Sequence, residues 1–286
     1  MKIPNSLQTL IKDGLIDEVL YQLMSGKEAT VYVVRSAGEI RCAKVYKDSM
    51  KRSFKNAAQY QEGNKVKNSR RARAMKKGSK FGRKQQEDVW QNAEVDALFK
   101  CADAGVRVPK PYGCFDGVLL MELVTNDEGE VAPRLNDVSM SAEQALDDHS
   151  EVMNDVKRML CAGIIHGDLS EFNVLVDDYG PVIIDMPQAV DASANNNAKS
   201  MLIRDVNNMT NYYGQFAPEL LLTQYAEEMW ALYEEAKLTA DSELTGIYIN
   251  DDAEVDVDAV MDAINAAYAE EEERKARISL ALEDID

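Results

Sequence analysis

The sequence is poor in histidine and cysteine, the side chains that most often hold zinc or build disulfide frameworks. It contains two histidines and four cysteines, and no two cysteines form a CxxC pair. This spacing disfavours structural zinc and disulfides and predicts reduced thiols. The sequence also lacks an opening signal segment and an apolar run approaching the roughly 20 residues of a membrane-spanning helix. We therefore expect a soluble, cytoplasmic protein with no membrane partner.

Charge of each sign is concentrated in one segment. The net charge is −18, yet residues 47–84 hold 14 Lys and Arg against two acids, whereas residues 241–286 hold 15 Asp and Glu against three basic residues. The basic segment has no sustained hydrophobic stripe, which predicts a flexible insertion between elements. The second segment is predicted to be an acidic tail.

Hydrophobic periodicity predicts mixed α and β elements in a chain long enough for about two domains. A short helix capped by Asn5 or Ser6 is predicted first, and His149, which lies in a polar run, is predicted at the surface. Strands are predicted at 19–24, 29–34, 40–46, 109–115, 118–124, 174–176 and 182–184. Helices are predicted at 87–104, 142–161, 199–216 and 219–237.

The most specific pattern lies near the middle of the chain, where a polar loop precedes a short apolar strand. Asp168 is followed five residues later by Asn173, and Asp185 comes twelve residues after that. Phosphoryl transfer uses one aspartate to receive a hydroxyl proton, and an asparagine and a second aspartate to hold magnesium against ATP phosphates. We therefore assign Asp168 a catalytic role, Asn173 and Asp185 metal binding, and His166 structural support of the loop.

The same chemistry requires a lysine for the phosphates, and Lys44 is the candidate. Strand alternation aims Lys44 away from the apolar side of its strand and toward a cleft. Glu94, on the next predicted helix, can hold Lys44 in position. The loop 25–32 contains Gly26, whose small size lets backbone amides approach phosphate oxygens, although the loop matches neither GxGxxG nor the Walker pattern.

Taken together, these motifs resemble the RIO family of atypical serine/threonine protein kinases, in its bacterial-type form. SGKEATVY, CAKVY, IHGDLSEFN and IIDMPQ occur in that family's order between about residues 15 and 237. The resemblance implies an α+β, bilobal protein-kinase-like fold, with a small antiparallel-sheet N-terminal lobe and a mostly helical C-terminal lobe. The implied N-terminal lobe spans 1–124 and ends in a hinge at 121–124, the C-terminal lobe spans 125–240, and the acidic tail spans 241–286.

The resemblance also implies the cofactors and a residue set. ATP and Mg²⁺ are the implied cofactors, with Mn²⁺ as an alternative. Lys44 and Glu94 would form an ion pair, and together with Asp168 they are the implied catalytic residues. Arg204, Asp205 and Asn208 match the family pattern on a later helix. The implied cofactor-binding residues are Ser25, Gly26, Lys27, Val31, Lys44, the gatekeeper Met121, Glu122, Leu123, Val124, Asn173 and Asp185.

The implied function is an ATP-dependent serine/threonine protein kinase that phosphorylates itself and unknown protein substrates. Two alternatives stay open. The first is an ATPase-type switch that contacts ribosomal particles or RNA through residues 47–84. The second is a small-molecule phosphotransferase, because aminoglycoside and choline kinases share the HGDx4N arrangement. Because the insertion and the tail carry opposite charges, the tail could also fold over the insertion and inhibit the protein. A solvated tail is the favoured alternative.

Overall fold

The computed structural model describes residues 3–26, 29–47 and 93–249, which form a sheet followed by a mostly helical region. Lys27, residues 48–84 of the basic insertion and residues 250–286 of the acidic tail lie outside these ranges, so the predictions made for them stay predictions. Within these ranges, no helix combines the length and the apolar character that crossing a membrane requires.

The N-terminal lobe is built on a five-stranded antiparallel sheet. Its elements are the helix α1 (Asn5–Lys12) and the strands β1 (Glu18–Ser25), β2 (Ala29–Ser36), β3 (Glu39–Tyr46), β4 (Pro111–Phe115) and β5 (Val118–Glu122). The strand order in the sheet is β1-β2-β3-β5-β4. Ala37 and Gly38 join β2 to β3, and both adopt positive φ angles, 54° and 79°, which suit the twist of a two-residue hairpin.

One face of this sheet packs against α1. Leu7 and Leu10, three residues apart on the helix, are at most 1% exposed and share a core with Val34 and Ala43. Burying each of these leucines contributes about 1.5–3 kcal/mol. Because Ala43 faces this core, the alternation of β3 directs the next residue, Lys44, to the opposite face of the sheet.

The C-terminal lobe is mostly helical. Its elements are α3 (Ala142–Cys161), β6 (Ile164–Ile165), β7 (Val174–Asp177), β8 (Gly180–Ile183), β9 (Val190–Asp191), α4 (Ala198–Tyr213) and α5 (Tyr225–Glu234), with 3₁₀ turns at Leu135–Asp137, Glu171–Asn173 and Pro218–Leu222. Helix α2, whose described part covers 93–103, comes before this lobe in the chain, between β3 and β4. Ser141 caps α3 by accepting a hydrogen bond from the Gln144 backbone at 3.1 Å.

The core of this lobe holds the polar loop between β6 and β7 in place. Leu169 lies inside the loop and is fully buried, as is Ile183 at the end of β8. Both pack in one cluster with Leu160 of α3 and Met209 of α4. The polar residues on either side of Leu169 are therefore carried by a backbone that the hydrophobic core fixes.

The fold prediction is confirmed, with local corrections. The helix predicted at 219–237 is divided into a 3₁₀ turn and α5, and the strand predicted to reach residue 184 ends at Ile183. Asn5 and Ser6 do not cap α1, since the helix begins at Asn5 after Pro4 and has no side-chain cap. The surface position predicted for His149 is wrong, because its side chain is 1% exposed.

Candidate active site

Lys44 lies in the cleft between the lobes and contacts two carboxylates. Its Nζ is 2.5 Å from Glu94 Oε1 and 2.6 Å from Asp185 Oδ1, and the side chains of Lys44 and Glu94 are 11% and 5% exposed. Burial alone would lower the pKa of Lys44, but the charges and hydrogen bonds of Glu94 and Asp185 outweigh burial and raise it. Lys44 therefore stays a cation in a partly desolvated position.

Asp185 follows β8 in a left-handed backbone conformation, with φ of 68°. The preceding residue, Ile184, donates its N–H to Asn173 O at 2.9 Å, which ties the segment of Asp185 to that of Asn173. Burial acts to raise the pKa of Asp185, yet Lys44 outweighs burial and the pKa is lowered, with smaller contributions from His166 and Arg134. Asp185 is thus held as a carboxylate at the mouth of the cleft.

Asp168 and Asn173 lie together on the loop between β6 and β7. Asn173 Nδ2 donates to the Asp168 carbonyl at 2.8 Å, which leaves Asn173 Oδ1 pointing away from that bond. Gln188 Nε2 donates to Asp168 Oδ2 at 3.1 Å. Burial is the main cause that raises the pKa of Asp168. One Asp168 oxygen is therefore oriented by Gln188, a contact that the sequence analysis did not identify.

Helix α4 supports this loop from below. Asp205, which is 1% exposed, accepts hydrogen bonds from the backbone N–H of Gly167 at 2.6 Å and of Leu169 at 3.2 Å. Asn208 Nδ2 donates to Leu169 O at 2.9 Å, and Arg204 donates to Gly167 O. In the sequence, only the family pattern indicated these α4 residues. A direct signal was present, since Asp205 falls in the buried stripe of α4.

His166 fills the structural role predicted for it. The ring is 2% exposed, and its Nε2 lies 3.1 Å from Ile184 O. The same ring accepts, at Nδ1, a hydrogen bond from the Asp168 backbone at 3.3 Å. His166 therefore links the loop to the segment that leads into Asp185.

The loop after β1 is held by Lys47, which the sequence analysis did not single out. Lys47 Nζ donates to Ser25 Oγ at 2.8 Å and to Gly26 O at 2.5 Å. Gly26 N–H donates to Ala29 O at 2.9 Å. Lys27 lies outside the described residues, so this part of the predicted phosphate loop is described only at Ser25 and Gly26.

The predicted hinge borders the cavity that contains Lys44. Glu122 N–H donates to Lys110 O at 2.9 Å, and the Val124 side chain is buried against Ala132. Val31 pairs with Lys44 across β2 and β3. The cavity is lined by Lys44, Glu94, Leu98, Pro109, Leu119, Met121, Ile184, Asp185 and Met186.

The donors in the cleft fit a cation that brings further oxygen ligands of its own. Asn173 and Asp185 supply hard carbonyl and carboxylate oxygens, the type that Mg²⁺ prefers. In the described ranges, no three His, Cys, Asp or Glu residues are grouped so that they alone could hold a metal. A magnesium ion bound through one or two protein ligands and substrate phosphates matches this set.

Comparison with known proteins identifies the family of the chain. Residues 30–238 match the model of the RIO domain. The chain is 32% identical to a protein of Haloferax volcanii named RIO-type serine/threonine-protein kinase Rio1, over 73% of the chain and 67% of that protein. It is 27% identical to Serine/threonine-protein kinase RIO1 of Caenorhabditis elegans, over 84% and 48% of the two chains. The human protein of the same name is 30% identical, over 71% and 34%.

The chain matches only part of each of these relatives. The chain spans about half of the nematode protein and about a third of the human protein. None of these three relatives is bacterial, so the bacterial-type form stays a prediction.

Proposed function

The chain belongs to the RIO family of atypical serine/threonine protein kinases, and from this premise we propose that it transfers the γ-phosphoryl group of ATP to serine or threonine hydroxyls of proteins, including its own. The observation that carries this proposal is the position of Lys44 between Glu94 and Asp185, 2.5 and 2.6 Å from their oxygens. A fixed lysine beside a metal-binding aspartate is what phosphoryl transfer requires of a protein.

The reaction is mainly a matter of placement and charge. Lys44, kept charged by its two carboxylate partners, would hold the phosphates of ATP. Asp168 would accept the proton of the attacking hydroxyl, with one carboxylate oxygen already oriented by Gln188. Backbone amides of the loop at Ser25 and Gly26 would cover the phosphates.

Magnesium is the proposed metal, and Mn²⁺ would accept the same donors. Asn173 Oδ1 and Asp185 would hold the ion against the nucleotide phosphates, as the donor chemistry supports. When bound, the ion would neutralise charge that develops on the transferred group. Asp185 would bind it as a carboxylate because its pKa is lowered mainly by Lys44.

The test is phosphate incorporation by the purified full chain with Mg²⁺ and ATP labelled at the γ-position. We expect labelled phosphoserine or phosphothreonine on the chain itself. Asp168→Asn, which preserves size and removes the proton acceptor, is expected to lower the rate by about 10²–10⁴-fold. Equal incorporation by wild type and Asp168→Asn would contradict the proposal.

The same assay separates the alternatives. ATP consumption without phosphoprotein would favour the ATPase-type switch, and acceleration by aminoglycosides or choline would favour the small-molecule phosphotransferase. The names of the relatives favour the protein kinase over both. Contact with ribosomal particles or RNA through residues 47–84 stays a prediction, because all of this segment after Lys47 lies outside the described residues.

A cytoplasmic location is part of the proposal. All four cysteines are free, and Cys42 and Cys101 are buried. Burial raises the pKa of each of these two thiols to about 12, which keeps them protonated and unreactive. Free, inert thiols are typical of proteins that work in a reducing compartment.

A further inference from the structure

Arg134 occupies a fixed backbone position beside the catalytic loop. It forms an isolated β-bridge with Leu175 of β7, two residues after Asn173, which ends the preceding 3₁₀ turn. On one side, Pro133 O accepts from Val176 N–H at 2.9 Å. On the other, Leu135 is fully buried and its carbonyl accepts from Tyr212 Oη at 2.7 Å. The backbone of Arg134 therefore has little freedom, and its side chain starts next to the residues proposed to hold the metal.

The Arg134 side chain reaches across the cleft to the other lobe. Its Nη2 lies 3.8 Å from Met24 Sδ, and Met24 directly precedes Ser25 and Gly26 of the loop after β1. The guanidinium thus lies at the loop after β1, on a segment that is bridged to the strand following Asn173.

The guanidinium of Arg134 has more hydrogen-bond donors than it uses. Arginine carries five N–H donors in a planar fork, and a thioether sulfur is a weak acceptor. Over the part of the chain that the structure describes, the Met24 sulfur is the only hydrogen-bond acceptor of this side chain, and no carboxylate forms an ion pair with it. Arg107, by contrast, donates to both oxygens of Asp177 at 2.6 and 2.8 Å.

We propose that Arg134 is a nucleotide-binding residue whose guanidinium contacts the phosphates of ATP from the C-terminal lobe, on the side of the cleft opposite Lys44. The inference rests on the proposed function, because it assumes a nucleoside triphosphate in this cleft. A guanidinium fork pairs with two phosphate oxygens at once, whereas Lys44 acts as a point charge. Two cations on opposite sides would fix the orientation of the phosphate chain.

The proposal predicts a loss of affinity that depends on phosphate. In the full chain, Arg134→Met keeps an unbranched stem beside Met24 and removes the charge. We expect its dissociation constant for ATP to rise about 10- to 100-fold, the value of one charge-assisted contact, while that for adenosine stays unchanged. Titration calorimetry with ATP and with adenosine measures both constants.

Two further variants make the result specific. Arg134→Lys, which keeps the charge without the fork, is expected to bind ATP with an affinity between those of wild type and Arg134→Met. Arg35→Met removes a cation that pairs with Glu18 away from the cleft, and it should bind both ligands as wild type does.

Each contrary outcome overturns the proposal in a recognisable way. Unchanged ATP affinity in Arg134→Met would show that Arg134 does not contact phosphate. An equal loss of affinity for ATP and for adenosine would assign Arg134 a structural role. If wild type did not bind ATP, the proposed contact of Arg134 with ATP phosphates would be refuted. Phosphate transfer is scored separately, so a chain that binds ATP through Arg134 but transfers no phosphate would refute only the kinase proposal.

Discussion

Lys44 is charged and largely buried at the same time, and this combination depends on its contacts with Glu94 and Asp185. Removing the carboxylate of Glu94 leaves Lys44 with Asp185, on the other side of the cleft, as its remaining partner. Lys44 would then shift toward Asp185 and leave the position in which it would contact the phosphates of ATP. We therefore expect Glu94 to act on catalysis through Lys44, as a positioning residue.

We predict that Glu94→Gln lowers kcat/KM for phosphate transfer by about 100-fold, because a reacting group displaced by about 1 Å costs roughly that much. The free energy of unfolding should fall by only about 1–3 kcal/mol, since glutamine keeps the size and the hydrogen-bonding capacity of the site. Steady-state kinetics and denaturant unfolding measure the two effects.

Glu39→Gln is the matched control, because Glu39 is on the same strand as Lys44 but its side chain is 67% exposed beside Arg41. A solvent-exposed ion pair contributes at most about 1 kcal/mol, so this variant should keep both activity and stability. A Glu94→Gln chain as active as Glu39→Gln would remove the positioning role.

Helix α3 carries an ionisable side chain on the face that packs into the core. His149 Nε2 lies 3.0 Å from Thr210 Oγ1 of α4, and the ring contacts Tyr213 of α4 and Tyr225 of α5. Burial lowers the pKa of His149 from 6.5 to about 4. Asp148, its buried neighbour on α3, has a raised pKa, also mainly from burial.

His149 makes stability depend on pH in a defined window. Above pH 6.5 the imidazole is neutral in both the folded and the unfolded chain. Between pH 6.5 and about 4 only the unfolded chain takes up the proton, so the free energy of unfolding falls as the pH falls. From pH 7 to pH 5 we predict that wild type loses roughly 2 kcal/mol more than His149→Gln, whose side chain does not titrate.

Denaturant unfolding of both chains at the two pH values measures this difference. The comparison cancels the contribution of Asp148 and the other carboxylates, because both chains contain them. Parallel pH profiles for wild type and His149→Gln would show that the buried imidazole is not what links folding to pH.

The secondary-structure elements and the candidate catalytic residues could be predicted from the sequence to different extents. Asp168 and Asn173 share one loop, and Asp185 follows twelve residues later, after the hairpin of β7 and β8. Their spacing in the chain therefore indicates the roles proposed for them. The surface position predicted for His149 is wrong because the polarity of its neighbours conceals its helical spacing. It lies four residues after Ala145 and three before Val152, both fully buried, and this periodicity marks the core face of α3.

Contacts between distant segments could not be predicted from the sequence pattern of a single element. Arg134, Lys47 and Gln188 each reach a partner on another element, at Met24, Ser25 and Asp168. Nothing in the local pattern around these three residues indicates such a partner, since a polar residue in a loop is compatible with full solvation. Such contacts depend on how the lobes and loops meet, which periodicity does not encode.

One compact unit of the chain runs from Met1 to Ile247, and the sequence predicts that the C-terminal lobe ends at residue 240. The segment 239–247 is held by two side chains of the lobe. Lys157, which is 5% exposed, donates to Ser242 O at 2.7 Å. Glu228 accepts from the backbone N–H of Thr245 at 2.8 Å and of Gly246 at 2.7 Å.

Two truncations test whether this segment belongs to the folded lobe. A chain ending at residue 249 should keep the stability of the full chain, because it retains these contacts. A chain ending at 238 should lose about 2–4 kcal/mol in the free energy of unfolding, since Lys157 would lose a buried hydrogen bond from a charged group and Glu228 two of its donors. Denaturant unfolding compares the three chains, and equal stability would place the boundary before 239.

The backbone of Asp185 constrains how its chemistry can be probed. Its φ of 68° lies where aspartate and asparagine are tolerated but alanine is disfavoured by about 1–2 kcal/mol. Replacing Asp185 by alanine would therefore remove a carboxylate and push the main chain toward another conformation in one step. Asparagine accepts the same torsion, so Asp185→Asn is the exchange that isolates the lost charge from a reshaped turn.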